Sequence, residues 1–234
     1  MRFNTALLHS NIMGDENTGA TLTPIYQSSA FYQTSAEQHE KLFNNKATGF
    51  SYTRINNPTV LAFENRMSSL ENGLVSVACA SGMAAITNAL LNIVCAGQEI
   101  IASTSLYGGS IDVFHDFEAF GIKIVFVDIS DEEAVRAAIN ENTRVIFAET
   151  IGNPKLDVVD IEKLSKLAHE YGLPLVMDNT VATAYLVKPI DFGADIVVNS
   201  TSKYINGNSN SISGVITDSG RFKWDKDRYP GLRE

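Results

Sequence analysis

Lys203 is the side chain best placed for covalent chemistry. It follows the apolar run ADIVVNS, with the hydroxyls of Ser200 and Ser202 beside it, and Asp178 closes another apolar run 25 residues earlier. A free lysine with a pKa near 10.4 leaves only about one amine in 2,500 neutral at pH 7, so desolvation or cationic neighbours must lower that value before it attacks a carbonyl. Ser81-Gly82-Met83 opens an apolar helical stretch, and such a turn can aim free backbone N–H groups and a positive dipole end at an anion. Tyr107 stands beside Gly108 and Gly109, and the run RVIFAET ends near Glu149, followed by Asn153-Pro154. An aldehyde cofactor with a phosphate and a ring nitrogen would employ all of these parts. Lys203 would form the imine, the hydroxyls and the Gly82 and Met83 amides would hold the phosphate, and Asp178 would keep the ring nitrogen protonated. By themselves the same residues also fit an N-capped helix and a surface lysine following a strand.

The elements that must position these residues are short. Five apolar runs, EIIAS, KIVFVDI, RVIFAET, PLVMDNT and ADIVVNS, alternate with the helical patterns IDVFHDFEAFG, DEEAVRAAINE and DIEKLSKLAHEYG. Continuous Val/Ile runs separated by helices predict an α/β fold, a mostly parallel sheet with helices on both faces. Ligands of such sheets bind beyond the carboxyl ends of the strands, where the polar residues above collect. Residues 1–59 are polar and weakly periodic up to Asn57-Pro58 and read as an extended arm; residues 60–234 read as the compact domain. A further strand is predicted at Ser213–Thr217, after which the chain runs on in polar sequence without a closing element.

Composition narrows the partners. With 44% hydrophobic residues the chain can bury a core, and its net charge of −9 disfavours nucleic acid and anionic membrane surfaces. No apolar window is long enough for a membrane span and no secretory leader pattern opens the chain, so a soluble, cytoplasmic protein is expected. Cys79 and Cys95 sit in apolar stretches and read as buried thiols. His9, His39, His115 and His169 are too scattered for a metal set, so no metal is expected; His169 reads as a solvated helix residue. G-x-x-x-x-G-K-[ST], G-x-G-x-x-G and G-x-S-x-G are all absent.

The motifs Tyr52-Thr53-Arg54, Asn57-Pro58-Thr59, Ala80-Ser81-Gly82-Met83-Ala84-Ala85-Ile86, Leu106-Tyr107-Gly108-Gly109, Asp178-Asn179-Thr180 and Ser200-Thr201-Ser202-Lys203-Tyr204-Ile205 occur in one order along the chain. On them the chain resembles the Cys/Met metabolism pyridoxal-phosphate enzymes. The resemblance implies the large domain of a type I PLP-dependent transferase, with pyridoxal 5'-phosphate on Lys203, Asp178 on its pyridine nitrogen, and Asn153 near its phenolic oxygen. It implies that Tyr107 stacks on the ring and assists proton transfer, and that Gly82, Met83, Ser200 and Ser202 bind the phosphate. Tyr52 and Arg54 would complete the phosphate site of a neighbouring subunit, so a homo-oligomer, dimer or tetramer, is implied.

Within the family, GVITDSGRFKW and RYPGL resemble the O-acetylhomoserine sulfhydrylase branch, and Gly109 stands where methionine γ-lyases typically carry cysteine. The implied reaction is γ-replacement on O-acetyl-L-homoserine by sulfide or a thiol, giving homocysteine or methionine; cystathionine γ-synthase and γ-lyase are the alternatives within the family. Three positions depart from its pattern: Ser202 replaces threonine, Asn208 replaces histidine and Ser213 replaces glycine. The family continues into a C-terminal small domain that usually supplies the arginine for the substrate carboxylate, and no residue here takes that role. The expectation therefore divides between an enzyme, as part of a longer chain or completed by a second chain, and a truncated, inactive PLP-binding or oligomerising fragment.

Overall fold

The computed structural model describes residues 2–11 and 14–232; Arg233 and Glu234, the end of the expected domain, lie outside them. In chain order the elements are α1 (Phe3–His9), α2 (Ala36–Phe43), α3 (Pro58–Glu71), β1 (Val75–Cys79), α4 (Gly82–Leu91), β2 (Glu99–Ser103) and α5 (Gly108–Ala119). They continue with β3 (Lys123–Val127), α6 (Glu132–Ala138), β4 (Thr143–Glu149), α7 (Ile161–Glu170), β5 (Leu175–Asp178), α8 (Thr183–Leu186), β6 (Ile196–Asn199) and β7 (Gly214–Asp218). The sheet order is β1-β7-β6-β5-β4-β2-β3, with β7 alone antiparallel to its neighbours. The expected α/β, mostly parallel architecture is the one observed.

Residues alternate between two helical layers along the central strands. Val145 and Phe147 of β4 and Val176 of β5 pack with Leu90 of α4 and Phe114 of α5. Ile146, Ala148, Leu175 and Met177 face the other way, into Ile161, Leu164 and Leu167 of α7. Both faces are covered, which is why these strands read as unbroken apolar runs.

Three details depart from the expectations, and a fourth extends one. Strand β1 was not expected, although residues 74–80 are largely apolar; its burial is inverted, with Val75 and Val77 exposed and Ser76 buried and hydrogen bonded to Ser68 and Thr217. The last stretch is packed rather than merely polar: Tyr229 is 2% exposed, donates its hydroxyl to the carbonyls of Arg144 and Gly172, and packs on Trp224 and Phe222. His169 is the exposed α7 residue expected, with one contact beyond that expectation: its Nε2 lies 2.8 Å from Oδ2 of the buried Asp195. Cys95 is exposed and Cys79 only partly covered, so neither is a buried thiol.

The arm contains two short helices, neither with a buried residue. Among the described residues no helix is long and apolar enough to cross a membrane, and no group of three metal-capable side chains gathers.

Candidate active site

Five chain segments converge beyond the carboxyl ends of the parallel strands. Register places Glu149 of β4 beside Asp178 of β5, and Asp178 beside Val198 of β6, so the three strand ends lie next to one another. Beyond β6 the chain turns through Ser200 and Ser202 to Lys203. Tyr107 follows β2 and caps α5, and Ser81 follows β1 and caps α4. A cavity of about 230 Å³ is lined by Lys203, Asp178, Tyr107, Asn153, Gly82, Met83, Ser200 and Ser202. Eight of the ten expected site residues are thus brought together. The other two, Tyr52 and Arg54, lie on a separate open concavity with Tyr26 and Thr59, the Arg54 guanidinium 5.5 Å from the Tyr52 ring centre.

The α4 end of the cavity suits an anion. The Ser81 hydroxyl caps α4 by accepting from Ala84 N at 3.0 Å, leaving the first N–H groups, Gly82 and Met83, without intrahelical acceptors. Gly82 is required by close approach: a Cβ there would stand 2.4 Å from Ser200 Cβ. Gly214 of β7 lies behind the same turn, where a Cβ would meet Ser81 O at 2.1 Å. The Ser202 hydroxyl is already engaged, donating to Ser213 O at 3.1 Å and accepting from Ser213 N at 2.9 Å. It therefore ties the lysine turn to the start of β7, and Ser200 Oγ is the freer hydroxyl.

Asp178 lines the same cavity. Burial pushes its carboxyl above the usual range, partly offset by hydrogen bonds from the Thr180 side chain and Thr180 N, the latter at 2.9 Å. A carboxylate in that environment favours a cationic partner such as a protonated ring nitrogen. The Thr180 hydroxyl also accepts from Ser200 N at 2.7 Å, coupling the ends of β5 and β6. Lys203 is exposed at the cavity rim, and Gly207 N donates to its carbonyl at 2.9 Å.

Glu149 has a part that its sequence position alone did not disclose. It is 5% exposed, and its Oε1 accepts from Tyr107 N at 2.6 Å while Oε2 accepts from Asn153 N at 3.1 Å. One carboxylate thus fastens both loops that flank the cavity. Burial, reinforced by the charge of neighbouring Asp178, pushes Glu149 up to about 7. The signal available in sequence was its place at a strand end, shared with Asp178; its two bonds depend on loops 42 and 4 residues away.

The sheet, with a lysine, a partly buried aspartate and a glycine-opened helix terminus gathered beyond its strand ends, defines the class as the large domain of a PLP-dependent transferase fold. The chain belongs to the Cys/Met metabolism PLP-dependent enzyme family, whose sequence model matches residues 4–230. It is 46% identical to an O-acetyl-L-homoserine sulfhydrylase of Leptospira meyeri, over 98% of this chain and 52% of that protein. It is 42% identical to an L-methionine gamma-lyase of Fusobacterium nucleatum, over 98% of this chain and 58% of the relative. Among solved structures, an assigned O-acetylhomoserine (thiol)-lyase of Campylobacter jejuni with N'-pyridoxyl-lysine-5'-monophosphate superposes with a TM-score of 0.93 at 32% identity, over 98% of this chain and 58% of that one. The chain spans about half the length of the curated relatives it matches.

Proposed function

We propose that this chain binds pyridoxal 5'-phosphate at Lys203 and serves γ-replacement on O-acetyl-L-homoserine with sulfide or a thiol. The observation that carries the reading is the single cavity into which Lys203, Asp178, Tyr107 and the α4 terminus converge. The residues fit the cofactor: Gly82 leaves the cradle open beside Ser200, and partly buried Asp178 offers an acceptor for a ring N–H. Gly82 N, Met83 N and the Ser200 hydroxyl hold the phosphate, with Ser202 supporting their loop. Asp178 holds the proton on the ring nitrogen, Asn153 stands by the phenolic oxygen, and Lys203 moves protons at the α and β carbons of the substrate. Tyr107 presents its ring and assists that transfer. When bound, the cofactor supplies an electron sink conjugated to the substrate. The γ carbon loses acetate and gains sulfur, yielding homocysteine or methionine.

The names of the similar sulfhydrylases support this substrate over the lyase reading, as does Gly109. A Cβ at Gly109 would lie 2.6 Å from the Tyr107 ring, so a side chain there displaces that ring. A second reading, cofactor binding without turnover, draws on a different observation: Lys203 is the one cation among the described residues lining the cavity, leaving none for a substrate carboxylate.

Residues 1–59 act in this proposal as an inter-subunit segment and 60–234 as the cofactor domain. Tyr52 and Arg54 serve a neighbouring copy, dimer or tetramer, because they lie on the separate concavity. The free Cys79 and Cys95 suit a reducing cytoplasm.

Visible absorption with pyridoxal phosphate, before and after borohydride, tests the cofactor: a band fixed by borohydride in wild type and lost in Lys203→Ala is expected, and its absence from wild type defeats the reading. Turnover of O-acetylhomoserine with sulfide, against cystathionine and methionine as competing substrates, separates sulfhydrylase from lyase and from binding alone.

A further inference from the structure

Below the cavity, the helix-to-sheet contact buries a carboxyl that the proposed reaction does not use. Glu71, the last residue of α3, is 0% exposed. Its Oε1 accepts from Asn199 Nδ2 at 3.0 Å and from Asn179 Nδ2 at 3.4 Å. Asn179 immediately follows Asp178, and Asn199 immediately precedes Ser200. Asn179 is further held by the Thr150 hydroxyl, which donates to its Oδ1 at 3.0 Å, and by its own amide bond to Val187 O at 3.0 Å. Two buried atoms of this network have no partner among the described residues, Glu71 Oε2 and Asn199 Oδ1. Both can only accept while Glu71 is ionised, so the network is short of one hydrogen.

We propose that Glu71 carries a proton on Oε2 and donates it to Asn199 Oδ1, closing a two-bond acid–amide ring that makes Glu71 a positioning residue for the ends of β5 and β6. One proton then satisfies both orphaned atoms. The charged groups facing Glu71 come from the segment around Pro189–Phe192: Lys188 favours the anion and Asp191 opposes it. Both are turned to Asn72, whose Oδ1 accepts from Lys188 Nζ at 2.9 Å and whose amide donates to the two Asp191 oxygens at 2.9 and 3.0 Å. Other packed elements bring His9 on α1, Cys79 on β1 and Asp218 on β7, none of them a cation bonded to Glu71. Burial pushes the Glu71 carboxyl up to about 7, against the pull of both amides and Lys188. The proton stands on this geometry alone; the consequence that Asp178 and Ser200 are held for a cofactor rests on the proposed function.

A carboxyl whose pKa is raised by folding stabilises the fold below its unfolded pKa and loses that contribution as pH rises through the folded value. Glutamine at position 71 keeps both bonds of the ring at any pH, donating from Nε2 and accepting on Oε1. Denaturant unfolding of wild type, Glu71→Gln and Glu71→Leu is compared from about pH 5 to about pH 8. Subtracting the Glu71→Gln curve cancels Glu149, Asp178 and the other titrating groups. Wild type and Glu71→Gln are expected to run together at the acid end, and wild type to lose about a hundredfold in folding constant relative to Glu71→Gln by the alkaline end. An infrared band of a protonated carboxyl, present in wild type at the acid end and absent from Glu71→Gln, is the direct readout. Parallel pH curves, or a Glu71→Gln variant as unstable as Glu71→Leu, overturns the proton; should Glu71→Leu not fold, the first comparison still decides. For positioning, pyridoxal phosphate affinity is expected to stay within about threefold in Glu71→Gln and to drop about tenfold or more in a folded Glu71→Leu. Unchanged affinity in folded Glu71→Leu removes the positioning role. Failure of wild type to bind the cofactor defeats the proposed function and leaves the pH comparison standing.

Discussion

Asp178 and Tyr52 each belong to a short polar motif, yet the molecule holds them by different means. Asp178 ends a strand hydrogen bonded on both sides, over residues Val176 and Met177 that are completely buried. Its position is inherited from the whole sheet, so it is as stable as the core. Tyr52 is 43% exposed and held by an isolated bridge to Ala30 and by local turn bonds, its carbonyl accepting from Ile55 N at 2.9 Å and Asn56 N at 3.1 Å. Backbone bonds of this kind orient a motif locally without fixing it against a distant site. The cavity is therefore set by the chain's own core, whereas the arm needs another surface to give Tyr52 and Arg54 a purpose.

The sharpest break in that contrast is chemical. Lys203→Ala is expected to lower turnover by about 10²–10⁴-fold in a steady-state assay while leaving the thermal midpoint within a few degrees. A large fall in midpoint would show that the lysine turn supports the fold. Next comes the core beneath the cavity: Phe147→Ala on β4 is expected to cost about 3–5 kcal/mol in denaturant unfolding, because Phe147 is fully buried against Phe114. Phe43→Ala on the arm, where the ring is 63% exposed, should cost under about 0.5 kcal/mol. Equal losses at the two positions would erase the distinction between the regions.

Gly82→Ala is expected to destabilise by about 1–3 kcal/mol and to weaken pyridoxal phosphate binding measured by absorbance titration, since the new methyl collides with Ser200. Glu149→Gln replaces one acceptor by an amide that faces a backbone donor, Tyr107 N or Asn153 N, and is expected to cost about 1–3 kcal/mol by the same unfolding measurement. The smallest effect on stability belongs to Arg54→Ala, expected within about 0.5 kcal/mol of wild type. Mixing Arg54→Ala chains with Lys203→Ala chains should nonetheless restore activity that neither has alone. No recovery on mixing would remove the proposed action across subunits.

Much of the cavity was legible from local pattern. Unbroken apolar runs announced strands covered on both faces, and the polar residues at their ends, Asp178, Ser200 and Glu149, had to emerge on one side of a parallel sheet. The Ser81-Gly82 start of α4 was readable for the same local reason, a hydroxyl cap before an apolar helix. The reversed burial of strand β1 was not legible, because its buried Ser76 is satisfied not only by nearby Ser68 but by Thr217 of β7, 141 residues away. The bond of exposed His169 to Asp195 and the packing of the final stretch through Tyr229 were illegible for the same reason, since Asp195 and the carbonyls of Arg144 and Gly172 are remote along the chain.

Hydrophobic periodicity and turn chemistry act over a few residues, so the sequence by itself determined the α/β class, the alternation of strands and helices from β2 to β6, and the identity of the lysine, aspartate and glycine that meet. Tertiary structure decided which hydroxyls and carboxyls are already engaged: Ser202 with Ser213, Glu149 with two loops, and Glu71 beneath two strand ends. Hydrogen-bond partnership and desolvation are set by atoms brought together from distant parts of the chain, and they come into being only when the sheet is assembled.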